Sequence, residues 1–209
     1  KEDTGSVMVS VDYWLTDVSS NYKLVYVIMA DGRVKVDVSW DAGSQNIPEM
    51  PRFGMQMQLS DAFDNFEYYG RGPWENYSDR NTSSFVGIYS GSVSEQAFDY
   101  IRPQENGNKT DVRWLTLTND EGLGIKIEGL QPLSVKVAHN PAEDLDPGFT
   151  KKQQHPANVT PRKRVYLNID LKQRGLGGDN SWGAMPHKPY LLLDKSYSYS
   201  YVLSVVSNK

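Results

Sequence analysis

Three stretches of this sequence concentrate residue types that could hold a ligand, and each interrupts a run of alternating apolar and polar residues. The first is Gly70-Arg71-Gly72-Pro73-Trp74-Glu75-Asn76-Tyr77-Ser78-Asp79-Arg80. Its glycines match neither a P-loop nor a dinucleotide-binding pattern, so phosphate chemistry is not indicated. Glu75, Asp79 and Arg80 can pair with one another in a rigid turn, or the same groups can form the polar rim of a sugar cleft. The second is Arg102-Pro103-Gln104-Glu105-Asn106-Gly107. A carboxylate beside an amide, Glu105 and Asn106, suits hydrogen bonding to neighbouring sugar hydroxyls, although Asn-Gly is also ordinary turn chemistry. The third is Gly175-Leu176-Gly177-Gly178-Asp179-Asn180-Ser181-Trp182-Gly183. Here a large aromatic follows a flexible loop with no alternating strand around it. The face of an indole can stack on the C–H face of a pyranose while neighbouring amides take the hydroxyls.

Other chemistries find less support. With no cysteine in 209 residues, thiol catalysis, disulfides and thiolate metal sites are excluded. His139, His155 and His187 show no paired metal-ligand spacing. His139 and His155 could carry a proton at neutral pH or could simply be structural. No nucleophile-elbow motif supports a serine triad. Nothing among the 26 Asp and Glu residues singles out the two carboxylates, ~5 Å apart, of a retaining glycosidase. Neither a metal nor a cofactor is expected in this chain. The net charge of −4 argues against a nucleic-acid partner. The longest apolar run, Leu24 to Ala30, is far short of the ~20 residues of a membrane helix. A soluble protein, cytoplasmic or periplasmic, is the expectation. The sequons at Asn76, Asn81, Asn108 and Asn158 are weak signals. A chain opening at Lys1 reads as a processed product or a fragment of something longer.

The elements that must position the three stretches are strands. Val7, Val9, Val11 and Tyr13 share one face of a period-2 pattern, as do Val34, Val36, Val38 and Trp40, and Phe53, Met55, Met57 and Leu59. Leu24 to Ala30 reads as a nearly continuous apolar strand, and Asp31-Gly32 after it as a type I′ hairpin turn. A second hairpin is expected around Asn119 to Gly122, joining Trp114–Leu117 to Ile125–Ile127. Val135–Val137, Tyr166–Leu171 and the Tyr/Ser alternation from Tyr197 to Val205 complete about ten strands without a sustained helical period. Ala138 to Arg164 is the one long irregular stretch. The composition, with 13 Tyr, 17 Gly and 11 Pro, fits strands and turns. The expected fold is all-β, a sandwich or an open barrel, in a single domain over residues 1–209.

The three stretches, in this order, resemble the C-terminal domain, also called the small chain or domain 5, of glycoside hydrolase family 2 β-galactosidases. The matching residues are Gly70-Arg71-Gly72-Pro73, Glu75-Asn76-Tyr77 and Asp79-Arg80, then Pro103-Gln104-Glu105-Asn106-Gly107. Leu167-Asn168-Ile169-Asp170 and Gly177-Gly178-Asp179-Asn180-Ser181-Trp182 follow, with Pro51-Arg52-Phe53-Gly54 also similar. The resemblance spans roughly residues 7 to 206. It implies an antiparallel β-supersandwich of the galactose mutarotase-like kind. It also implies that the acid/base and nucleophilic glutamates belong to a TIM barrel elsewhere in the parent, so that this chain alone is inactive. Trp182 matches the position that stacks on substrate, and Arg80, Glu105, Asn106 and Asp179 match positions that order the cleft loops. The implied partners are the other domains of the parent and a β-galactoside. A freestanding carbohydrate-binding module and an aldose 1-epimerase are the alternatives.

Overall fold

The computed structural model describes residues 5–146, 148, 154–180 and 182–207. Ten antiparallel strands are present among them: β1 (Val7–Leu15), β2 (Ser20–Ile28), β3 (Val34–Asp41), β4 (Arg52–Leu59) and β5 (Asn65–Gly72), followed by β6 (Phe85–Ser92), β7 (Lys109–Thr118), β8 (Gly124–Ala138), β9 (Val165–Gln173) and β10 (Ser196–Val206). They form one hydrogen-bonded sheet in the order β1-β2-β3-β10-β8-β7-β5-β6, with β9 branching from β8 and β4 pairing β9.

The fifteen-residue β8 makes the branch possible. Its first half, Gly124 to Gly129, lies against β10, while Ser134 to Ala138 lies against β9. Between them Leu130, Gln131 and Pro132 pair with neither strand. Pro132 has no N–H to give a ladder, and the Gln131 side chain takes over: its amide donates to Ser200 O and accepts from Ser200 N, both at 3.1 Å. The leaf of β4 and β9 thereby folds over the sheet. Phe53 of β4 packs on Tyr197 and Tyr199 of β10, with ring centroids 5.5 and 5.8 Å apart. The Tyr199 hydroxyl donates to Ile169 O of β9 at 2.7 Å.

The core follows the alternation. Tyr197, Tyr199 and Tyr201 are buried from β10, Val36, Val38 and Trp40 from β3, and Leu167 and Ile169 from β9. Burying a Tyr requires a partner for its hydroxyl, which Ile169 O gives Tyr199 and Asp194 N gives Tyr197. The edge strand β1 pairs only with β2, and Val7, Val9, Tyr13 and Leu15 stay exposed on the face that carries Val11 inward.

Three expectations are corrected. The Asp31-Gly32 hairpin is not type I′. Positive φ occurs at Gly32 alone (85°), Gly32 N donates to Met29 O, and Met29 N donates to Arg33 O. This is a three-residue loop, a type I turn closed by a left-handed glycine. The Asn119–Gly122 hairpin is built identically, with Gly122 at 76°. Second, the start of the first glycine-rich stretch is strand, the end of β5. Gly70 and Gly72 are there for space: a Cβ on Gly70 would lie 2.7 Å from Val112 Cγ2, and one on Gly72 would overlap the Tyr68 hydroxyl. Third, Asn76 and Asn108 are fully buried and hydrogen-bonded, which removes two of the four sequons from reach. Among its described residues the irregular stretch holds one helical turn, Ala142–Leu145, and one 3-10 turn, Pro156–Asn158; Ser181 lies outside the described residues. No helix among the described residues is long and apolar enough to cross a membrane.

Candidate functional site

The first stretch leaves β5 through a cis Gly72-Pro73 bond and is anchored by Asn76. The Asn76 side chain donates to Arg71 O and Trp74 O, each at 3.0 Å, and accepts from Thr110 N at 2.9 Å. Its backbone exchanges hydrogen bonds with Asn108, whose Oδ1 accepts from Ser134 Oγ at 2.8 Å. Every polar atom of a fully buried amide is used, as burial demands.

Glu75 ties this stretch to the second. One carboxylate oxygen accepts from Arg80 Nη2 at 2.5 Å and from the Tyr100 hydroxyl. The other accepts from Gly107 N at 2.6 Å. Arg80 also lies over the Tyr77 ring, 4.8 Å from its centroid. Asp79 is not part of this cluster, contrary to the expected mutual pairing. It reaches the third stretch instead: Oδ2 accepts from Gly177 N at 2.7 Å, and the carboxylate fills space that a Cβ on Gly175 would need.

Glu105 sits over a buried ionic cluster. It accepts from Lys136 Nζ at 3.2 Å and from the Tyr77 hydroxyl at 3.4 Å, with Arg52 Nη1 at 3.8 Å. Arg52 in turn donates twice to Asp170, at 2.9 and 2.6 Å. Asp170 is 1% exposed, and burial pushes its carboxyl up to about 6 although Arg52 pulls the other way. Gly54 has no side chain because a Cβ there would overlap this carboxylate, and the β4–β9 register shifts at Phe53/Gly54 to admit it. Lys109, also buried, donates to Gly107 O at 3.3 Å, and burial lowers its ammonium to about 8. Burial raises the Tyr77 phenol, and Glu105 adds to the effect.

The structure therefore brings Arg80 and Glu105 into the network joining the first two stretches. Asn106 orders its own loop, accepting from Phe98 N at 3.1 Å and donating to Gln104 O at 2.8 Å. Asp179 stands apart in the third stretch, with His187 Nε2 at 2.7 Å. Trp182 is 94% exposed; its backbone N–H donates to Asn180 Oδ1 at 2.8 Å, and its ring projects from the loop. Arg52, Lys136 and Asp170 were not singled out as a cluster by sequence reasoning. Lys136 and Asp170 occupy the outward-alternating positions of β8 and β9, where a charged residue is ordinarily solvated. Among the described residues no group of three or more His, Asp or Glu could hold a metal ion.

The β-galactosidase small-chain family model matches residues 1–203. The chain belongs to this family. It is 38% identical over 198 residues to a β-galactosidase of Priestia megaterium, covering 94% of this chain and 19% of that protein. It is 33% identical to the β-galactosidases of Vibrio cholerae, over 180 residues, and of Lactobacillus delbrueckii subsp. bulgaricus, over 198. Those alignments cover 86% and 92% of this chain and 16% and 18% of the relatives. The chain thus spans under a fifth of the length of these curated relatives. Among solved structures, the galactosidase domain of alpha-galactosidase-sucrose kinase aligns over 99% of this chain and 25% of its own. The TM-score is 0.53 at 8% identity, a likeness of fold.

Proposed function

We propose that this small-chain domain works as a non-catalytic wall of a β-galactosidase, completing the cleft in which terminal β-D-galactosides such as lactose are hydrolysed. Bond cleavage takes place on residues of the parent outside this chain. The observation that carries the reading is Trp182: an indole 94% exposed, on a loop whose base is held by Asp79. An aromatic ring left in solvent on an anchored loop suits stacking against a sugar. Arg80, Glu105 and Asn106 order the neighbouring loops, and Asp179 orders the Trp182 loop with His187.

The test is Trp182→Ala in the full-length parent enzyme. Losing one stacked indole should weaken lactose binding by about 1–3 kcal/mol. A contact equal in ground and transition states raises KM while kcat stays nearly constant. An unchanged KM would remove Trp182 from the site. The 209-residue chain by itself should not hydrolyse a nitrophenyl galactoside; turnover abolished by a single carboxylate substitution would overturn the non-catalytic role.

A further inference from the structure

A cleft of about 460 Å³ opens between the Tyr77–Asn81 turn, residues 131–134 of β8 and the segment Pro189 to Leu192. None of Arg80, Glu105, Asn106, Asp179 and Trp182 lines it. Its size falls within the ~300–1,000 Å³ of small-molecule sites. We infer that this cleft is a separate binding site for a neutral saccharide, taking one or two pyranose rings.

The chemistry of the walls selects that class. Pro132, Leu171 and Leu191 supply apolar surface and Tyr190 an exposed ring, the groups that meet the C–H face of a sugar. Ser78 Oγ, the Asn81 side-chain amide and the Tyr190 hydroxyl make no hydrogen bond to the described residues, so each is available to a sugar hydroxyl. Gln173 shares the wall, and its Oε1 is a shielded acceptor without a partner among the described residues. Formal charge is nearly cancelled. Asp111 is held by Arg71 Nε at 2.5 Å, which leaves Lys172 as the one ion of the lining without a partner among the described residues. A phosphate or nucleotide site would instead gather several cations or a helix N-terminus, whereas the described lining holds a single lysine, Lys172. The mooring is firm: Gly175 N donates to Tyr190 O at 2.9 Å, tying the cleft wall to the end of β9.

The inference does not depend on Trp182 and is tested separately, by titrating the 209-residue chain with galactose and with lactose while following backbone amide and indole resonances. Binding with a Kd on the order of 1–10 mM is expected for so open a site, read from shifts at Ser78, Asn81, Gln173 and Tyr190. Tyr190→Ala and Asn81→Asp should each weaken it at least about fivefold, the scale of one lost contact of ~1 kcal/mol, while the rest of the amide spectrum reports an intact fold. Shifts confined to Trp182 and its loop would overturn the cleft and leave the proposed wall standing. No shift anywhere at about ten times that Kd would overturn the cleft too, as would titration curves that both variants leave unchanged.

Discussion

The Asp79 carboxylate accepts the Gly177 N–H at 2.7 Å across 98 residues of chain, and it occupies the space that a side chain at Gly175 would fill. One side chain thus fixes the base of the loop that carries Trp182. A Cβ at residue 175 would lie 2.7 Å from Asp79 Cγ. Gly175→Ala should therefore displace the carboxylate and cost about 1–3 kcal/mol. Urea unfolding gives the cost, and faster hydrogen exchange at Gly177 reports the lost bond. A variant of wild-type stability with a protected Gly177 amide would contradict the clamp.

The Arg52–Asp170 pair joins β4 to β9 beneath the Glu105 loop. Removing one partner of a buried pair leaves the other charge without compensation, a loss of roughly 3–5 kcal/mol. Arg52→Ala should approach that figure. Adding Asp170→Asn in the same chain should restore part of it, because the stranded charge is gone. Two substitutions that simply add in a double-mutant cycle would show that the pair is not coupled.

The same cluster sets a pH dependence of unusual sign. The folded value of Asp170, about 6, lies above the ~3.9 of an unfolded chain, so the native state holds the extra proton between them. Its contribution to stability is fully present below ~4 and is lost as pH rises through about 6. Lys109 acts in the alkaline range. Its folded value of about 8 lies below the ~10.4 of the unfolded chain, so stability from this group grows as pH rises between the two. Denaturation midpoints measured across pH should lose the acid-side slope in Asp170→Asn and the alkaline-side slope in Lys109→Met. Profiles that match the wild type would refute both assignments.

Two edge strands carry exposed apolar residues: Val7, Val9 and Tyr13 on β1, and Phe85, Val86 and Ile88 on β6. An unpaired edge with an apolar face is a template for association. The 209-residue chain should self-associate as its concentration rises, and Val7→Lys with Val9→Lys on β1 should reduce this. Sedimentation velocity gives the answer; association unaffected by the two lysines would place the contact elsewhere.

Much of the fold was legible in local pattern. The alternation of Val34 to Trp40, Phe53 to Leu59 and Tyr197 to Val205 marks β3, β4 and β10, because a pleated strand sends successive side chains to opposite faces. The same logic missed β5 at Gly70 and Gly72, where the residues are small to let Val112 and Tyr68 come close. Close approach is a property of the neighbours, and a lone glycine in sequence looks the same in a turn. The spaced motifs also placed the chain in its family.

What only the tertiary structure decided is which polar groups meet. The sequence suggested that Asp79 pairs with Glu75 and Arg80, its near neighbours. The folded chain sends Asp79 to Gly177 and Glu75 to Gly107, and brings Arg52 to Asp170 across 118 residues. Alternation depends on the backbone geometry of a few adjacent residues and can be read along the chain. A buried hydrogen bond depends on register, on where β8 passes from β10 to β9 and on which groups lose water together, and those are set only when distant strands pack.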